Sequence, residues 1–198
     1  MKKGLGLIFI LLSLPLLFHQ QIKEEIYKNF NDKLLVAVSE NQKNVEKSAI
    51  EKLYMNDSTN VKTSEVKAIL SIPEIELKEP IFQGTTEEHL KNGVAVVEED
   101  EDFTRNNLSI AGHKMNAYGV LFNRLHELEI GSQIEVKTSD KVKKYMVTER
   151  FTVAPNEVSI LEETVEETIT LITCESYNWN TYEFEERLVI RGEIMKDG

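Results

Sequence analysis

Residues 132–153 read SQIEVKTSDKVKKYMVTERFTV. Apolar and polar side chains alternate over residues 132–137 and again over residues 143–153, which is the period of a β-strand with one buried face. The polar residues 138–140 between the two segments have the composition of a tight turn. The stretch therefore predicts a β-hairpin and favours a mainly β fold for the chain.

Further short apolar or alternating segments lie on both sides of this hairpin, and most are bounded by Pro, Gly or polar residues, as strands usually are. The additional predicted strands are 66–72, 75–82, 93–97, 108–111, 168–173 and 187–194. Short helices are predicted at residues 85–91 and 121–128. About eight short strands with two small helices indicate a closed or nearly closed β-barrel.

The first eighteen residues differ from the rest of the chain. Lys2 and Lys3 precede an uncharged, almost wholly apolar run of fifteen residues, 4–18, which reaches roughly 22 Å as a helix and needs its flanks to cross a membrane. No small-x-small cleavage site follows, so residues 1–20 are expected to be an uncleaved signal anchor, with a cleaved signal peptide as the alternative. The two lysines place the N-terminus in the cytoplasm and the later residues outside the cell membrane, to which the chain is attached by this single pass.

The segment after the apolar run has a helical pattern. Apolar residues recur mostly every four positions from Gln20 to about Met55, which is typical of an amphipathic helix. The polar residues 56–60 are predicted to be a linker. We therefore expect residues 21–63 to form a helical stalk and linker, and residues 64–198 to form the folded domain.

Composition restricts the classes of function. Lys and Arg number 23 against 34 Asp and Glu, a net charge of -11, which argues against a nucleic-acid partner because such proteins need a basic face. The chain has one cysteine, Cys174, so an exported domain cannot form an internal disulfide. The thiol is then inert and buried, paired with another molecule, or reactive.

The surroundings of Cys174 in the sequence favour a reactive thiol. Cys174 ends an apolar strand and precedes a polar loop, and Arg187 opens the strand after that loop. If these two strands pair as a hairpin, the two residues lie close together, where a guanidinium can stabilise an oxyanion. Arg191 on the same strand is the competing arginine.

A cysteine nucleophile also needs a base. His89 and His126 fall in polar helical stretches and are predicted to be surface residues, whereas His113 follows the apolar strand 108–111. Loops at strand ends are where β-barrels carry their sites. His113 is therefore the histidine we expect near Cys174, with a half-buried structural histidine as the alternative.

Taken together, these segments resemble a known family. Residues 170–174 (TLITC), followed by Arg187 thirteen residues after the cysteine, resemble the signature of the sortases. Residues 109–113 (SIAGH) resemble the family's histidine segment, residues 71–75 (SIPEI) the opening of its barrel, and residues 93–95 (GVA) the strand before the histidine.

The resemblance implies an eight-stranded sortase-type barrel that acts as a cysteine transpeptidase outside the membrane. Its expected partners are secreted proteins with a C-terminal LPxTG-like sorting signal, cut between Thr and Gly, and an amine of peptidoglycan or its lipid-linked precursor. In this reading Cys174 is the nucleophile, His113 the general acid and base, and Arg187 the oxyanion and substrate-positioning residue. Residues matching positions that line or flank the family's groove are Ala111, Ile172 and Thr173.

Some sortases bind calcium, and an acidic run at residues 98–102 allows the same expectation here. The residues that would take part are Glu98, Glu101, Glu162 and Glu163. Arg105 stands where the calcium pattern would have a further carboxylate, so a solvated acidic loop is the alternative. No cofactor is expected to be required, and calcium binding is left open.

Residues 19–65 carry no Asp-Pro-aromatic lid, which argues against the pilus-polymerising class of the family. The short barrel loops and simple N-terminal anchor resemble class A sortases most, with class D as the close competitor. Two other functions stay open at this point. One is a sortase-like peptidase that mainly hydrolyses its acyl-enzyme, and the other is a membrane-tethered binding barrel with an inert thiol.

Overall fold

The computed structural model describes residues 13, 17–98, 103, 105–115 and 119–195. An N-terminal layer precedes the barrel and comprises α1 (His19–Ser39), β1 (Asn44–Val45), α2 (Ala49–Met55) and β2 (Val61–Lys62). The barrel domain then contains β3 (Val66–Ile72), β4 (Leu77–Gln83), α3 (Glu87–Asn92), β5 (Val94–Val96), β6 (Asn107–Ala111), β7 (Gln133–Lys137), β8 (Val142–Val153), β9 (Thr168–Asn178) and β10 (Glu183–Ile194). Short 3-10 helices are formed by Thr63–Glu65, Pro73–Ile75, Phe122–Glu127 and Ser159–Leu161.

Strands β3 to β10 close a barrel in the order β10-β8-β7-β3-β4-β5-β6-β9, with β9 also paired to β10. The predicted eight-stranded barrel is thereby confirmed. Most neighbouring strands are antiparallel, but β4 pairs with β5 and β6 pairs with β9 in parallel. The parallel β6–β9 pair is the one that positions the site, because it carries two strand ends to the same edge of the barrel.

The hairpin of β7 and β8 shows how the sequence pattern builds the barrel. Ile134 and Val136 of β7 are fully buried, and so are Tyr145 and Val147 of β8, while residues between them face outwards or are partly exposed. The buried side chains belong to the main hydrophobic core. Alternation along the strand therefore places one face of each strand in the core, as predicted.

Strands β9 and β10 extend further than the predicted strands 168–173 and 187–194. The two strands continue as a long hairpin whose outer part is polar and aromatic, so its residues carry no core-burial signal. Tyr177 pairs with Phe184 across this part, with ring centroids 5.0 Å apart, and Trp179 lies 4.9 Å from Tyr177. Cross-strand aromatic contacts of this kind stabilise a hairpin beyond the core.

The prediction of one helix from Gln20 to about Met55 is wrong. Helix α1 ends at Ser39, and Asn41 has a left-handed backbone with φ of 55°. A second helix begins after Ser48, whose side chain accepts a hydrogen bond from the Glu51 amide while the Glu51 carboxylate accepts one from the Ser48 amide. This capping box starts a new helix and explains why the periodic pattern does not form a continuous one.

Helix α1 also does not stand free as a stalk. Phe30 and Leu34 are buried and pack in a second hydrophobic cluster with Phe82 of β4 and Ala95 of β5. Tyr27 is 5% exposed and joins the main core. The N-terminal layer therefore covers one side of the barrel, because its apolar residues find partners on the outer faces of β4 and β5.

No helix in the described part of the chain is both long and apolar enough to cross a membrane. Of the predicted anchor at residues 1–20, residues 1–12 and 14–16 lie outside the described residues.

Candidate active site

The parallel pairing of β6 and β9 brings His113 and Cys174 to the same edge of the barrel. Ala111 pairs with Ile172 in this ladder, and His113 and Cys174 each lie two residues further along their strands. The Gly112 amide donates to the Ile172 carbonyl at 3.1 Å, which continues the pairing past Ala111. The register of β6 and β9 therefore places the C-terminal end of β6 next to the part of β9 that carries Cys174.

The glycine between Ala111 and His113 is required by packing. A Cβ atom on Gly112 would lie 2.6 Å from the Phe122 ring and 2.9 Å from Val94. Phe122 is fully buried, and its amide donates to the His113 carbonyl at 3.1 Å. A side chain at residue 112 would therefore push away the segment that supports the histidine.

Cys174 and Arg187 face each other across the β9–β10 hairpin. They are direct partners in the antiparallel register, so their side chains lie on the same face of the sheet. Both residues are partly buried, and one Arg187 N–H donates to the Glu186 carbonyl at 3.1 Å. Among the described residues no carboxylate forms an ion pair with Arg187 at 4.0 Å or less. The register therefore places Arg187 beside Cys174 on one face of the hairpin.

The competing arginine lies elsewhere. Arg191 pairs with Thr170, four residues along the hairpin from the Cys174 position. Its guanidinium forms an ion pair with Glu149 at 3.4 Å and stacks over the Phe151 ring at 5.7 Å. These contacts engage Arg191 in supporting the sheet, and they favour Arg187 as the arginine of the site.

His113 is half-buried and lies at a small pocket between the barrel and the N-terminal layer. The pocket is lined by Lys23, Tyr27, Tyr54, Met55, Lys91, Met115 and Val120. Burial lowers the pKa of His113 below its ordinary value; the negative charge of Glu87 raises it and the positive charge of Lys91 lowers it further. The imidazole is therefore mostly neutral at neutral pH.

Sequence reasoning did not find the contribution of Tyr54 and Met55 to this pocket. They lie about sixty residues before His113 in the chain, and their local pattern indicates only an amphipathic helix. A contact that depends on how two elements pack leaves no local signal, so no motif could have shown it.

The other two histidines of the domain are engaged elsewhere. His126 is exposed, as predicted, and its Nδ1 lies 3.0 Å from the Asn123 carbonyl. The prediction that His89 is a surface residue is wrong, because its ring stacks on Phe82 at 5.0 Å and its Nδ1 lies 2.8 Å from the Gly84 carbonyl. His89 therefore packs against the second hydrophobic cluster, which contains Phe82.

The three predicted groove residues divide into two groups. Ala111 and Ile172 are paired and partly exposed, and Ile172 lies on the same face of β9 as Cys174. Thr173 is only 3% exposed, and its hydroxyl donates to the Gly112 carbonyl at 2.8 Å. Thr173 therefore lies behind the exposed face and supports the segment that leads to His113.

The predicted calcium ligands do not form a vacant oxygen cage. The guanidinium of Arg105 forms ion pairs with Glu98 and with Glu163, the latter at 2.6 Å. The Asn106 amide donates to the second Glu163 oxygen at 3.0 Å, and Glu162 is exposed. Glu101 lies outside the described residues, within which no three metal-binding side chains of the His, Cys, Asp and Glu types lie together. In the described residues, the Arg105 guanidinium thus lies between Glu98 and Glu163, two of the predicted calcium ligands.

A barrel that presents a partly exposed cysteine, with an arginine across the hairpin and a histidine on the adjacent strand end, has the features of a cysteine acyl-transfer enzyme. Residues 70–195 match the model of the sortase domain, so the chain belongs to the sortase family. Sortases are cysteine transpeptidases, and this protein is one.

Individual relatives agree with this assignment. Sortase A of Staphylococcus aureus is 30% identical over 182 residues, which span 90% of this chain and 84% of that protein. Sortase A of Listeria monocytogenes is 27% identical over 209 residues, or 99% and 92% of the two chains. The crystal structure of the Listeria enzyme matches with a TM-score of 0.62 and 29% identity, covering 67% of this chain and 88% of that one. A Clostridium perfringens sortase D5 transpeptidase, at 22% identity, matches in fold with a TM-score of 0.60, covering 87% of this chain and 99% of that one.

Proposed function

We propose that this sortase cuts an LPxTG-like sorting signal between Thr and Gly and joins the Thr to a cell-wall amine, with Cys174, His113 and Arg187 as its catalytic residues. The observation that carries the proposal is the register at one barrel edge. Arg187 lies directly across from Cys174, and His113 lies at the matching position of the parallel strand. Three residue types that acyl transfer needs are thus brought together from strands distant in the sequence.

In the first half of the reaction, the Cys174 thiolate attacks the Thr carbonyl carbon and forms a tetrahedral oxyanion. The bond to glycine then breaks, the glycine nitrogen takes a proton from the His113 imidazolium, and a thioester remains on Cys174. In the second half, neutral His113 accepts a proton from the incoming amine as it attacks the thioester. Cys174 departs as thiolate, and the new amide bond completes the transfer.

Arg187 stabilises the charge that develops in both halves. Its position opposite Cys174 supports a permanent cation beside the carbonyl under attack. Donors aimed at an oxyanion typically contribute about 10²–10³ in kcat. Ala111 and Ile172, which are half-exposed on the same face, form the floor against which the sorting peptide lies.

The protonation state of His113 limits the active fraction of the enzyme. Because burial lowers its pKa, few molecules at neutral pH carry the imidazolium that must protonate the leaving amine. The pocket that lowers the pKa is formed in part by Tyr54 and Met55 of the N-terminal layer. Packing of this layer therefore sets how much of the enzyme is ready for the acyl-transfer step.

We further propose that the enzyme works at the outer face of the cell membrane. The apolar run at residues 4–18, preceded by Lys2 and Lys3, supports an uncleaved anchor with a cytoplasmic N-terminus. The acceptor is an amine of peptidoglycan or its lipid-linked precursor, and the clients are secreted proteins. Similarity to the sortase A enzymes supports a class A housekeeping role. Protease protection of intact cells tests the orientation: the barrel should be degraded from outside.

The central test is mass spectrometry of the full chain with LPxTG-type peptides and an added amine. We expect an acyl adduct on the wild type, released as an amide when the amine is present, and no adduct on Cys174→Ala. Peptide processing by Cys174→Ala would overturn the mechanism. Product release that ignores the amine would indicate a hydrolase instead of a transpeptidase.

Calcium has a separate test. Arg105 neutralises Glu98 and Glu163, which supports catalysis without a cofactor. Activity should therefore be equal in calcium and in a chelator. A gain of about tenfold or more with calcium would instead show that a metal displaces the guanidinium.

A further inference from the structure

Next to the catalytic residues lies an ion pair that the mechanism does not use. Lys114 follows His113 and Glu175 follows Cys174 in the chain. Lys114 Nζ lies 2.6 Å from Glu175 Oε1, and the two side chains are 25% and 26% exposed. The pair therefore connects the residue after the general acid and base to the residue after the nucleophile.

The connection stands where the backbone ladder of β6 and β9 ends. The last ladder partners are Ala111 and Ile172, followed by the Gly112 amide bond to the Ile172 carbonyl and the Thr173 hydroxyl bond to the Gly112 carbonyl. His113 and Cys174 lie beyond these bonds, where strands no longer hold each other by register. The Lys114–Glu175 ion pair connects the two chain segments just beyond the last β6–β9 hydrogen bond.

The pair lies on the face away from the catalytic side chains. Glu175 follows Cys174 within β9, so these two side chains point to opposite faces of the strand. Lys114 contacts Glu175, whereas His113 borders a different pocket, the one beside Tyr54 and Met55. They line a pocket with Leu188, which belongs to the barrel core. The pair can thus fix the spacing of the two strand ends without occupying the space that the peptide needs.

The carboxylate depends on this lysine. The second oxygen of Glu175 is buried and has no hydrogen-bond partner among the described residues. Removal of Lys114 would leave a largely buried carboxylate unpaired, which disfavours the present position of the loop. Lys114 is held in turn by a β-bridge to Leu121, and that segment supports His113 through Phe122.

We propose that Lys114 and Glu175 are positioning residues that set the distance between His113 and Cys174, an inference that rests on the proposed function of those two residues. They touch neither substrate nor reacting atoms. Their effect is on the geometry of proton transfer, for which a displacement of about 1 Å can cost about 10²-fold in rate. Peptide binding uses the opposite face and is not affected.

The test is a charge-reversal series in the full chain, measured by steady-state transpeptidation. Lys114→Met and Glu175→Gln are each expected to lower kcat about tenfold or more. The KM for the peptide should stay within about twofold of wild type, because the contacts that bind the peptide are unchanged. The double variant Lys114→Glu with Glu175→Lys restores the pair in reverse and should recover most of kcat. Lys114→Arg should retain activity.

A matched control is the ion pair of Lys143 and Glu167, which are 2.5 Å apart with side chains 13% and 30% exposed. Lys143→Met removes a similar barrel ion pair that is not adjacent to a catalytic residue, and kcat should not change. If this control loses kcat to the same extent, the Lys114 effect is general destabilisation and the inference is wrong.

Two further outcomes decide the matter. Unchanged kcat in both single variants, or no recovery in the charge-reversed double variant, overturns the positioning role while leaving Cys174 chemistry intact. Failure of the proposed function is recognised separately, because the Cys174→Ala enzyme would then process peptide as the wild type does.

Discussion

Two regions border His113, and they hold it in different ways. The barrel edge formed by β6, β9 and β10 positions the proposed catalytic residues through backbone pairing, which joins Cys174 to Arg187 and ends at Gly112, just before His113. The N-terminal layer reaches the histidine through side chains alone, notably those of Tyr54 and Met55. Strand register fixes the Cα position of each residue of the site, whereas packing across the pocket fixes how much water surrounds the His113 ring. The first region therefore determines geometry, and the second determines protonation.

Two buried polar contacts attach the layer to the barrel domain. Within the layer, Lys47 lies 3.0 Å from Asp57, with side chains 0% and 6% exposed, and Asp57 joins the layer to the barrel domain by accepting a hydrogen bond from Asn92 at the end of α3. Tyr27 of α1 donates to Glu79 of β4 at 3.4 Å, and the Leu121 amide donates to the same carboxylate. The second contact joins α1 to the segment that follows His113.

The largest expected effect comes from breaking the first contact. Burial raises the pKa of Asp57, but hydrogen bonds from Thr59, Lys47 and Asn92 outweigh it and hold the pKa at about 2. Asp57→Ala leaves the buried Lys47 ammonium without its carboxylate, which should lower the free energy of unfolding by about 3–5 kcal/mol. Urea unfolding measures this change.

The control for Asp57→Ala is Lys62→Met, which removes an exposed pair with Glu65 at 2.9 Å in the same layer. Exposed pairs contribute little, so its unfolding curve should overlay that of the wild type. Equal destabilisation by the two variants would contradict the role of the buried pair.

The next effect tests the barrel edge. Arg187→Ala should lower kcat by about 10²–10³-fold, because it removes the cation opposite Cys174. Arg191→Ala removes a guanidinium from the same strand, four residues away, and kcat should fall by less than about threefold since that group pairs with Glu149. The expectation is contradicted when both variants lose activity equally, and circular dichroism checks that each remains folded.

A smaller effect appears in the pH dependence of stability. Burial raises the pKa of Glu79 from 4.5 to about 8, against the hydrogen bonds from Leu121 and Tyr27. The unfolded chain releases this proton near pH 4.5 and the folded chain only near pH 8, so stability should fall as pH rises through that window. The slope is at most about 1.4 kcal/mol per pH unit.

Glu79→Gln removes this titration and isolates it from all others. The difference in unfolding free energy between wild type and variant should decrease between pH 5 and pH 8 and stay constant above it. A difference that is independent of pH would show that Glu79 is ionised in the folded protein.

The smallest effect is on the histidine itself. Met55→Ala opens the pocket to water, so the pKa of His113 should rise towards its ordinary value by a fraction of a unit. A titration of the His113 C–H signals by NMR measures it. A fall in the His113 pKa would mean that the layer does not desolvate the ring.

Much of the barrel could be predicted because its signals are local. Strand β3 was predicted with the bounds that the structure gives, since apolar alternation and a following proline mark its face and its end. The outer halves of β9 and β10 were missed, because Tyr177 and Phe184 stabilise each other across the hairpin and face no core. Local alternation cannot report a partner that lies across a hairpin.

The N-terminal layer shows the opposite case. Its apolar spacing correctly indicated helix, yet the break after Ser39 and the new start at Ser48 depend on a turn that suits packing of both helices against the barrel. The same pattern suits a free stalk or a docked helix. Amphipathicity shows that one face of the helix is to be buried, but it does not identify the surface that covers this face.

By itself, then, the sequence determined a β-barrel with its cysteine, histidine and arginine at strand ends, because strand periodicity and short motifs are properties of adjacent residues. Only the tertiary structure decided that Arg187 faces Cys174, that Arg105 occupies the acidic loops, and that α1 closes over the pocket of His113. Each depends on contacts between different elements, which span 13 positions for Cys174 and Arg187, 58 for Arg105 and Glu163, and 52 for Tyr27 and Glu79. Such contacts exist only once these elements have packed together.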